Sequence, residues 1–143
     1  MNQIHPHSVW IGHSGDSRDY KRIFDQNIKA ILFLAAEEAN IQPPRDLIYC
    51  HFPLLDGAEN DEQVLDVAIK TAVTLLNDGV PVLVCCSAGM SRAPSIAAAA
   101  LSIVLGKSLE ECLELVVAHH PSDVSPGFWK QVKETVQKKY SKG

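Results

Sequence analysis

Short runs of branched apolar residues alternate along the chain with longer stretches in which apolar residues recur at helical spacing. The short runs predict four β-strands, at Val9–Gly12, Ala30–Leu34, Leu47–Phe52 and Val82–Cys86. The last run, VLVCC, is apolar at every position, which is typical of a central strand covered on both faces. Because strands alternate with helices, we predict one α/β domain over residues 1–143 with a mostly parallel sheet.

Helix ends are marked by capping residues and glycines. The patterns predict helices over Arg18–Asp25, Asp61–Asn77 and Ser91–Leu105, a fourth that begins with the capping box Ser108–Glu111, and a fifth that begins at Ser125-Pro126. The apolar faces of the first, fourth and fifth helices are expected to hold, in chain order, Tyr20, Ile23 and Phe24; Leu109, Cys112, Leu113, Val116 and Val117; and Phe128, Trp129, Val132, Val136 and Tyr140.

The charge of the chain argues against polyanionic partners. Its 143 residues carry a net charge of −4, with arginine only at positions 18, 22, 45 and 92, so binding to nucleic acid or to an anionic membrane is disfavoured. The longest near-apolar run, Ile96–Leu105, is about half the length of a membrane span. Residues 1–10 lack the features of a signal peptide. We therefore predict a soluble, cytoplasmic protein, whose oligomeric state the sequence leaves open.

The four cysteines are predicted to be free thiols. No Cys-x-x-Cys spacing occurs, which argues against a structural zinc site. The adjacent pair Cys85 and Cys86 would close a strained ring if it formed a disulfide. Cys112 lies on a helical apolar face and Cys50 in a strand, so both are interpreted as core residues.

Two histidine pairs are candidates for a metal site. His5 and His7 are interpreted as part of a turn, and His119 and His120 as a solvated helix end, because acidic partners are missing nearby. These two histidine pairs are therefore not expected to bind a metal.

The segment with candidate chemistry is VLVCCSAGMSRAP, residues 82–94, in which Cys86 and Arg92 form a Cys-x5-Arg pattern. It is expected to form a strand, a loop of small residues and a helix. Backbone N–H groups in such a loop can bind an anion at the helix N-terminus, and Arg92 can clasp two phosphate oxygens. The positive end of the helix favours a Cys86 thiolate as nucleophile. The alternative is a buried cysteine beside a surface arginine. The predicted phosphate-binding residues are Ser87, Ala88, Gly89, Met90, Ser91 and Arg92.

A thiolate that attacks a phosphate ester needs a proton donor for the departing oxygen. Upstream, the segment HFPLLDG at residues 51–57 indicates a strand that runs into a loop with an acid beside a glycine. This loop is expected at the carboxyl edge of the sheet, where α/β folds bind ligands. Asp56 is the candidate general acid, and Asp61 and Glu59 are lesser candidates. An ordinary turn is the alternative interpretation of Asp56-Gly57.

These segments together resemble the dual-specificity branch of the cysteine-based protein tyrosine phosphatases along nearly the whole chain. Residues 4–12 and 27–34 are similar to strand regions of that family, and residues 121–131 are similar to a segment near its C-terminal helix. Pro53-Leu-Leu-Asp56 matches its acid loop, and Cys86–Arg92 matches its phosphate-binding loop. The resemblance implies a mixed sheet of about five strands with helices on both faces. It also implies hydrolysis of phosphomonoesters through a phosphocysteine, without metal or cofactor.

Three positions depart from the family's pattern. The residue before the nucleophile is usually a histidine that helps to organise the loop, and here it is Cys85. The residue after the arginine usually carries a hydroxyl that assists the departing thiolate, and here it is Ala93. The usual Pro-Asn pair before phenylalanine is replaced in Val124–Phe128. Because nucleophile, arginine and acid remain, we expect an active enzyme.

By resemblance, a chain of this length implies a shallow pocket that admits phosphoserine and phosphothreonine as well as phosphotyrosine. The variable loop positions Ser87, Ala88, Met90 and Ser91 include no basic residue, which disfavours inositol phosphates and RNA 5′ ends. A phosphorylated protein is therefore the predicted substrate and partner. The alternatives are a phosphatase of a lipid, sugar or nucleotide phosphate, and a phosphate-binding interaction module with little turnover.

Overall fold

A computed structural model of the chain describes residues 1–140, so that residues 141–143 of the predicted domain lie outside the described part. Its sheet has five strands: β1 (Asn2–Gln3), β2 (Val9–Gly12), β3 (Ala30–Ala35), β4 (Ile48–Leu54) and β5 (Val82–Cys85). Their order in the sheet is β1-β2-β5-β3-β4. The β1–β2 pair is antiparallel and the other pairs are parallel. The predicted α/β fold with a mostly parallel sheet is confirmed.

The helices are α1 (Tyr20–Asp25), α2 (Glu62–Asn77), α3 (Arg92–Leu105), α4 (Leu109–His119) and α5 (Pro126–Tyr140), with a 3-10 turn at Asp16–Arg18. Helix α3 contacts β2, β3 and β5, while α2, α4 and α5 all pack against α3. Residues 92–102 of α3 are all buried, and five of them are alanines, which lets neighbouring elements approach closely. Among residues 1–140, no helix is long and apolar enough to cross a membrane.

The central strands position the candidate site. Every residue of β2, β3 and β5 is buried, so both faces of these strands are covered. The carboxyl ends of β3, β4 and β5 meet at one edge because these strands are parallel. The chain leaves this edge at Ala36, Leu55 and Cys86. Residues that follow the three strands are therefore brought together where α/β folds usually bind ligands.

Three strands have boundaries that differ from the prediction. Strand β3 continues one residue further than predicted, to Ala35. Strand β5 ends at Cys85, so Cys86 is the first residue of the following loop. Strand β4 begins at Ile48 and continues through Pro53 to Leu54. Proline is tolerated there because β4 lies at the edge of the sheet. The two-residue strand β1 was not predicted, since so short a segment carries no periodicity.

The predicted apolar faces were too wide at two positions. In α1 only Ile23 is buried, whereas Tyr20 is half-buried and Phe24 is 45% exposed. In α4, Val117 is 48% exposed although Val116 is buried. In both helices the exposed residue directly follows the buried one, and about 100° of rotation per residue turns it away from the core.

The four cysteines are free thiols, as predicted. Cys112 is buried as expected, while Cys50 is only half-buried because it lies on the edge strand β4. Burial raises the pKa of both thiols, and it raises the pKa of the fully buried Cys85 well above its usual value. These three cysteines are therefore neutral packing residues at neutral pH.

Candidate active site

A cleft of about 370 Å³ at the carboxyl edge of the sheet brings the predicted site residues together. It is lined by Cys86, Ser87, Ala88, Met90, Ser91 and Arg92, and also by Glu37, Asp56 and Asp123. Gly89, the remaining predicted phosphate-binding residue, is buried behind this lining. Residues from the loops after β3, β4 and β5 thus share one cavity with the start of α3.

The loop at residues 86–91, called the phosphate loop below, has most of its carbonyl groups bonded to the surrounding protein. Four of them accept hydrogen bonds from outside the loop: Ser87 O from Ser14 N (3.1 Å), Gly89 O from His120 Nε2 (2.7 Å), Met90 O from Asp123 N (2.8 Å) and Ser91 O from Ser95 N (3.0 Å). In a trans peptide, the C=O and the next N–H point in opposite directions. The N–H groups that follow these carbonyls therefore face the cleft, where they can bind an anion.

Gly89 is required by the path of this loop. Its φ of +72° lies in the left-handed region, which side chains other than glycine disfavour. A Cβ at this position would also lie 2.7 Å from the carbonyl oxygen of Gly12 at the end of β2. The phosphate loop is therefore packed directly on the sheet backbone.

Cys86 lies at the N-terminus of α3 and is 2% exposed. Its Sγ accepts a hydrogen bond from Ala93 N at 3.4 Å. The partial positive charge of a helix N-terminus stabilises an anion at this position. The hydroxyls of Ser87 and Ser91 have other partners: Ser87 Oγ donates to Glu37 Oε2 (2.7 Å) and Ser91 Oγ to Asp56 Oδ1 (2.7 Å).

Arg92 is 5% exposed and is held by two acceptors. Its Nη1 donates to Glu37 Oε1 (2.6 Å) and to Leu54 O (2.7 Å), and its Nη2 donates to Glu37 Oε2 (2.6 Å). Its Nε is buried and has no hydrogen-bond partner among residues 1–140. Glu37 thus occupies one edge of the guanidinium, and the edge formed by Nε and Nη2 remains for an oxyanion.

Glu37 was missed by the sequence analysis. Its hydrogen bonds from Arg92 lower the pKa of Glu37 to about 2, and Glu37 in turn raises the pKa of Arg92. The one available signal was its position two residues after β3, at the carboxyl edge of the sheet. The carboxylate and the guanidinium are therefore both charged at any pH used for an assay.

Asp56 lies on an exposed loop, and the phosphate loop positions its carboxylate. Ser91 Oγ donates to Asp56 Oδ1 and itself accepts from Ser125 N at 2.8 Å. The lesser candidates are placed differently. Asp61 caps α2 through bonds from Gln63 N and Val64 N, and the exposed Glu59 is not among the residues that line the cleft.

Residues 55–61, called the acid loop below, are held by two amide side chains. Asn60 accepts from Leu55 N (2.7 Å) and donates to Leu55 O (3.0 Å) and Gly57 O (3.1 Å). Gln131 of α5 donates to Asn60 O (2.7 Å) and accepts from Asn60 N (3.2 Å). The brace from Gln131 was not predicted, because its contacts with Asn60 join parts of the chain that are 71 residues apart.

The interpretation of His120 as part of a solvated helix end was wrong. The residue directly after α4 is only 8% exposed, and its ring lies against the phosphate loop. His119 is half-buried and bonds to Leu115 O of its own helix. No group of three or more potential metal ligands occurs within residues 1–140.

Comparisons with known proteins give the family. A family model described as "Polymorphic toxin system, DSP-PTPase phosphatase" matches residues 9–106, which include both loops of the cleft. No curated protein matches the chain in sequence. Human DUSP28 matches in structure with a TM-score of 0.86 and 19% identity over 100% of both chains. DUSP15 matches with a TM-score of 0.79 and 23% identity over 98% of this chain and 88% of its own.

A third solved structure is the human tyrosine phosphatase-like serine/threonine/tyrosine-interacting protein. It matches with a TM-score of 0.78 and 22% identity, over 94% of this chain and 93% of its own. At these identities the structural matches establish the fold, and the family model establishes the family over more than half of the chain. The chain belongs to the DSP-PTPase phosphatase family of polymorphic toxin systems, and with it to the dual-specificity branch of the cysteine-based protein tyrosine phosphatases.

Proposed function

We propose that this protein hydrolyses phosphomonoesters on phosphorylated proteins, at phosphotyrosine and at phosphoserine or phosphothreonine, through a phosphocysteine. One observation carries the proposal: Cys86 and Asp56, from two separate loops, line the same cleft as Arg92, the first residue of α3. This reaction requires a nucleophile, a cationic group that binds the phosphate oxygens, and a proton donor.

In the first step, the thiolate of Cys86 attacks phosphorus and the bond to the ester oxygen breaks. Asp56 donates its proton to that oxygen, which leaves as an alcohol or phenol. The free edge of Arg92 and the inward N–H groups of the phosphate loop bind the equatorial oxygens, whose charge they stabilise. The product of this step is phosphocysteine at Cys86.

In the second step, water attacks the phosphorus of the phosphocysteine. The carboxylate of Asp56 accepts a proton from this water, and the sulfur–phosphorus bond breaks with its electron pair going to sulfur. Inorganic phosphate leaves and the Cys86 thiolate is restored. Here the departing thiolate has only the N–H of Ala93 as a protein donor among the contacts of residues 1–140.

The charges around the cleft favour a substrate with a single phosphate. Glu37, Asp56 and Asp123 line it, and Arg92 is the one basic residue among the described lining residues. Additional phosphates on an inositol ring or an RNA end would lie near these carboxylates and be repelled. A phosphorylated side chain on a protein brings a single phosphate.

The first experiment is hydrolysis of p-nitrophenyl phosphate by the wild type, by Cys86→Ser and by the control Cys50→Ser, which changes a half-buried thiol of β4. Activity in the wild type and the control, and none in Cys86→Ser, is expected. A second assay compares phosphotyrosine and phosphoserine peptides with phosphoinositides and nucleoside monophosphates. Faster hydrolysis of a non-protein phosphate would contradict the proposed substrate.

A weakly active phosphate-binding module is the second candidate. The absence of a hydroxyl at Ala93 favours it, because slow release of the phosphocysteine would leave a protein that binds phosphate but turns it over slowly. A solved relative of this fold carries the words "phosphatase-like" and "interacting protein" in its name. Tight binding of phosphopeptides by the wild type without their hydrolysis would support this candidate over the first.

A further inference from the structure

Both ring nitrogens of His120 form hydrogen bonds inside the protein. Nε2 lies 2.7 Å from the carbonyl oxygen of Gly89 in the phosphate loop. Nδ1 lies 2.9 Å from Nδ2 of Asn2 in β1. The imidazole therefore joins the edge strand of the sheet to the loop that faces the cleft.

The chemistry of the two partners fixes the form of the ring. A carbonyl oxygen only accepts hydrogen bonds, so Nε2 carries the proton and donates it to Gly89 O. The amide nitrogen of Asn2 only donates, so Nδ1 is the unprotonated acceptor. His120 is thus a neutral imidazole in one tautomer. Burial, the largest influence on this group, lowers the pKa of His120 and also favours the neutral form.

The Gly89 carbonyl belongs to the peptide group that joins Gly89 to Met90, so its direction also sets the direction of the Met90 N–H. When this carbonyl faces the protein, the N–H of Met90 faces the cleft. Glycine restricts its own backbone less than any other residue, so the peptide after Gly89 is the one in the loop most able to rotate. A rotation would direct a carbonyl oxygen at the phosphate instead of an N–H group. The hydrogen bond from His120 opposes this rotation.

We propose that His120 is the positioning residue that keeps the phosphate loop in its anion-binding form. In the family that the chain resembles, the residue before the nucleophile is usually a histidine with a loop-organising role. Here that residue is Cys85, a fully buried thiol. His120, the residue directly after α4, supplies an imidazole to the loop instead. This inference rests on the proposed function of the cleft as a phosphate site.

The test measures tungstate binding by calorimetry in variants that also carry Cys86→Ser. Binding of this phosphate-like anion can then be measured without turnover. His120→Leu removes the donor and is expected to weaken binding about tenfold, the effect of one lost hydrogen bond at an anion site. His120→Gln keeps an N–H donor and is expected to restore most of the affinity. His119→Leu is the matched control, because the one hydrogen bond of the His119 ring within residues 1–140 is to its own helix, and the variant should bind as tightly as its parent.

The same variants with Cys86 intact separate this inference from the proposed function. Hydrolysis of p-nitrophenyl phosphate should fall with His120→Leu and recover with His120→Gln. Tungstate binding without any hydrolysis in the wild type would contradict the proposed enzymatic activity. It would remain consistent with the positioning role of His120. A folded His120→Leu with unchanged tungstate affinity would overturn the positioning role, whatever the activity. If His120→Leu does not fold, His120→Ala takes its place, because it also removes the donor to Gly89 O: weaker tungstate binding supports the role, and unchanged binding overturns it.

Discussion

The phosphate loop and the acid loop face the same cleft, but they are held in different ways. Half of the phosphate loop is buried, and four of its backbone carbonyls are anchored by donors around it. The acid loop is largely exposed and depends on the side chains of Asn60 and Gln131. One loop is thus fixed through its backbone, and the other through a pair of amides.

This difference divides the chemistry between the two loops. The phosphate loop binds the phosphate itself, which every substrate shares, so damage there should reduce activity on all substrates alike. The acid loop serves the leaving group, which differs among substrates. Damage there should therefore depend on how strongly the departing oxygen needs a proton.

The largest effects are expected in the phosphate loop. Cys86→Ser should abolish turnover yet keep tungstate binding, because the anion site consists mainly of backbone N–H groups. Arg92→Lys should weaken both turnover and tungstate binding, because an ammonium group cannot replace the planar guanidinium. Its kcat/KM should fall by roughly 10- to 100-fold for every substrate. Steady-state kinetics on an aryl and an alkyl phosphate, with calorimetry, check this. Full activity in either variant would contradict the mechanism.

The next prediction distinguishes the role of the acid loop from that of the phosphate loop. Asp56→Asn should lower kcat by about 100-fold or more on an alkyl phosphate, the usual contribution of a general acid. The loss should be smaller on p-nitrophenyl phosphate, whose oxygen leaves without a proton, and the high-pH limb of the rate profile should shift or vanish. Glu59→Gln is the control from the same loop and should behave as wild type. Equal losses on both substrates would indicate that Asp56 is only a structural turn residue.

A gain of activity is expected from Ala93→Ser. The hydroxyls of Ser87 and Ser91 donate to the carboxylates of Glu37 and Asp56, so within residues 1–140 the departing Cys86 thiolate has no hydroxyl donor. Breakdown of the phosphocysteine should then limit turnover, slowed by roughly 10- to 100-fold. Rapid mixing of wild type with p-nitrophenyl phosphate should show a burst near one equivalent. Ala93→Ser should raise the steady rate and shrink the burst. No burst in wild type and no gain in the variant would show that another group assists the thiolate.

What the sequence could predict was local. The Cys86–Arg92 loop was identified because small residues and a helix N-terminus follow one another along the chain. The capping box at Ser108 was equally local, and its bond from Glu111 N is formed. Contacts that join distant segments carry no sequence pattern. Arg92 and Glu37 are 55 residues apart, His120 and Gly89 are 31 apart, and Asn60 and Gln131 are 71 apart. For this reason the groups that brace the site were missed.

A smaller effect should follow from loosening the acid loop. Asn60→Ala removes the bonds to Leu55 and Gly57, so Asp56 should spend less time beside the phosphate loop. Loss of about 1 kcal/mol of net hydrogen bonding corresponds to about a fivefold fall in kcat on an alkyl phosphate. The fall should be weaker on p-nitrophenyl phosphate, and tungstate affinity should not change. Gln131→Ala should give the same pattern, and a loss of tungstate affinity in either variant would contradict the division between the loops.

The smallest effect is expected at Glu37, which belongs to neither loop. Because its pKa is lowered to about 2, its contribution to stability is fully present above its usual pKa and is lost as pH falls toward 2. Its side chain is 52% exposed, so Glu37→Gln should reduce kcat/KM only about threefold, as for an exposed ion pair. The ratio of variant to wild type should stay constant from about pH 5 to 8, while the difference in unfolding free energy should shrink below about pH 4. Glu38→Gln is the matched control, because Glu38 accepts from Ser87 Oγ but not from Arg92. A ratio that varies between pH 5 and 8 would show that this carboxylate titrates within the working range and that Arg92 is oriented by other groups.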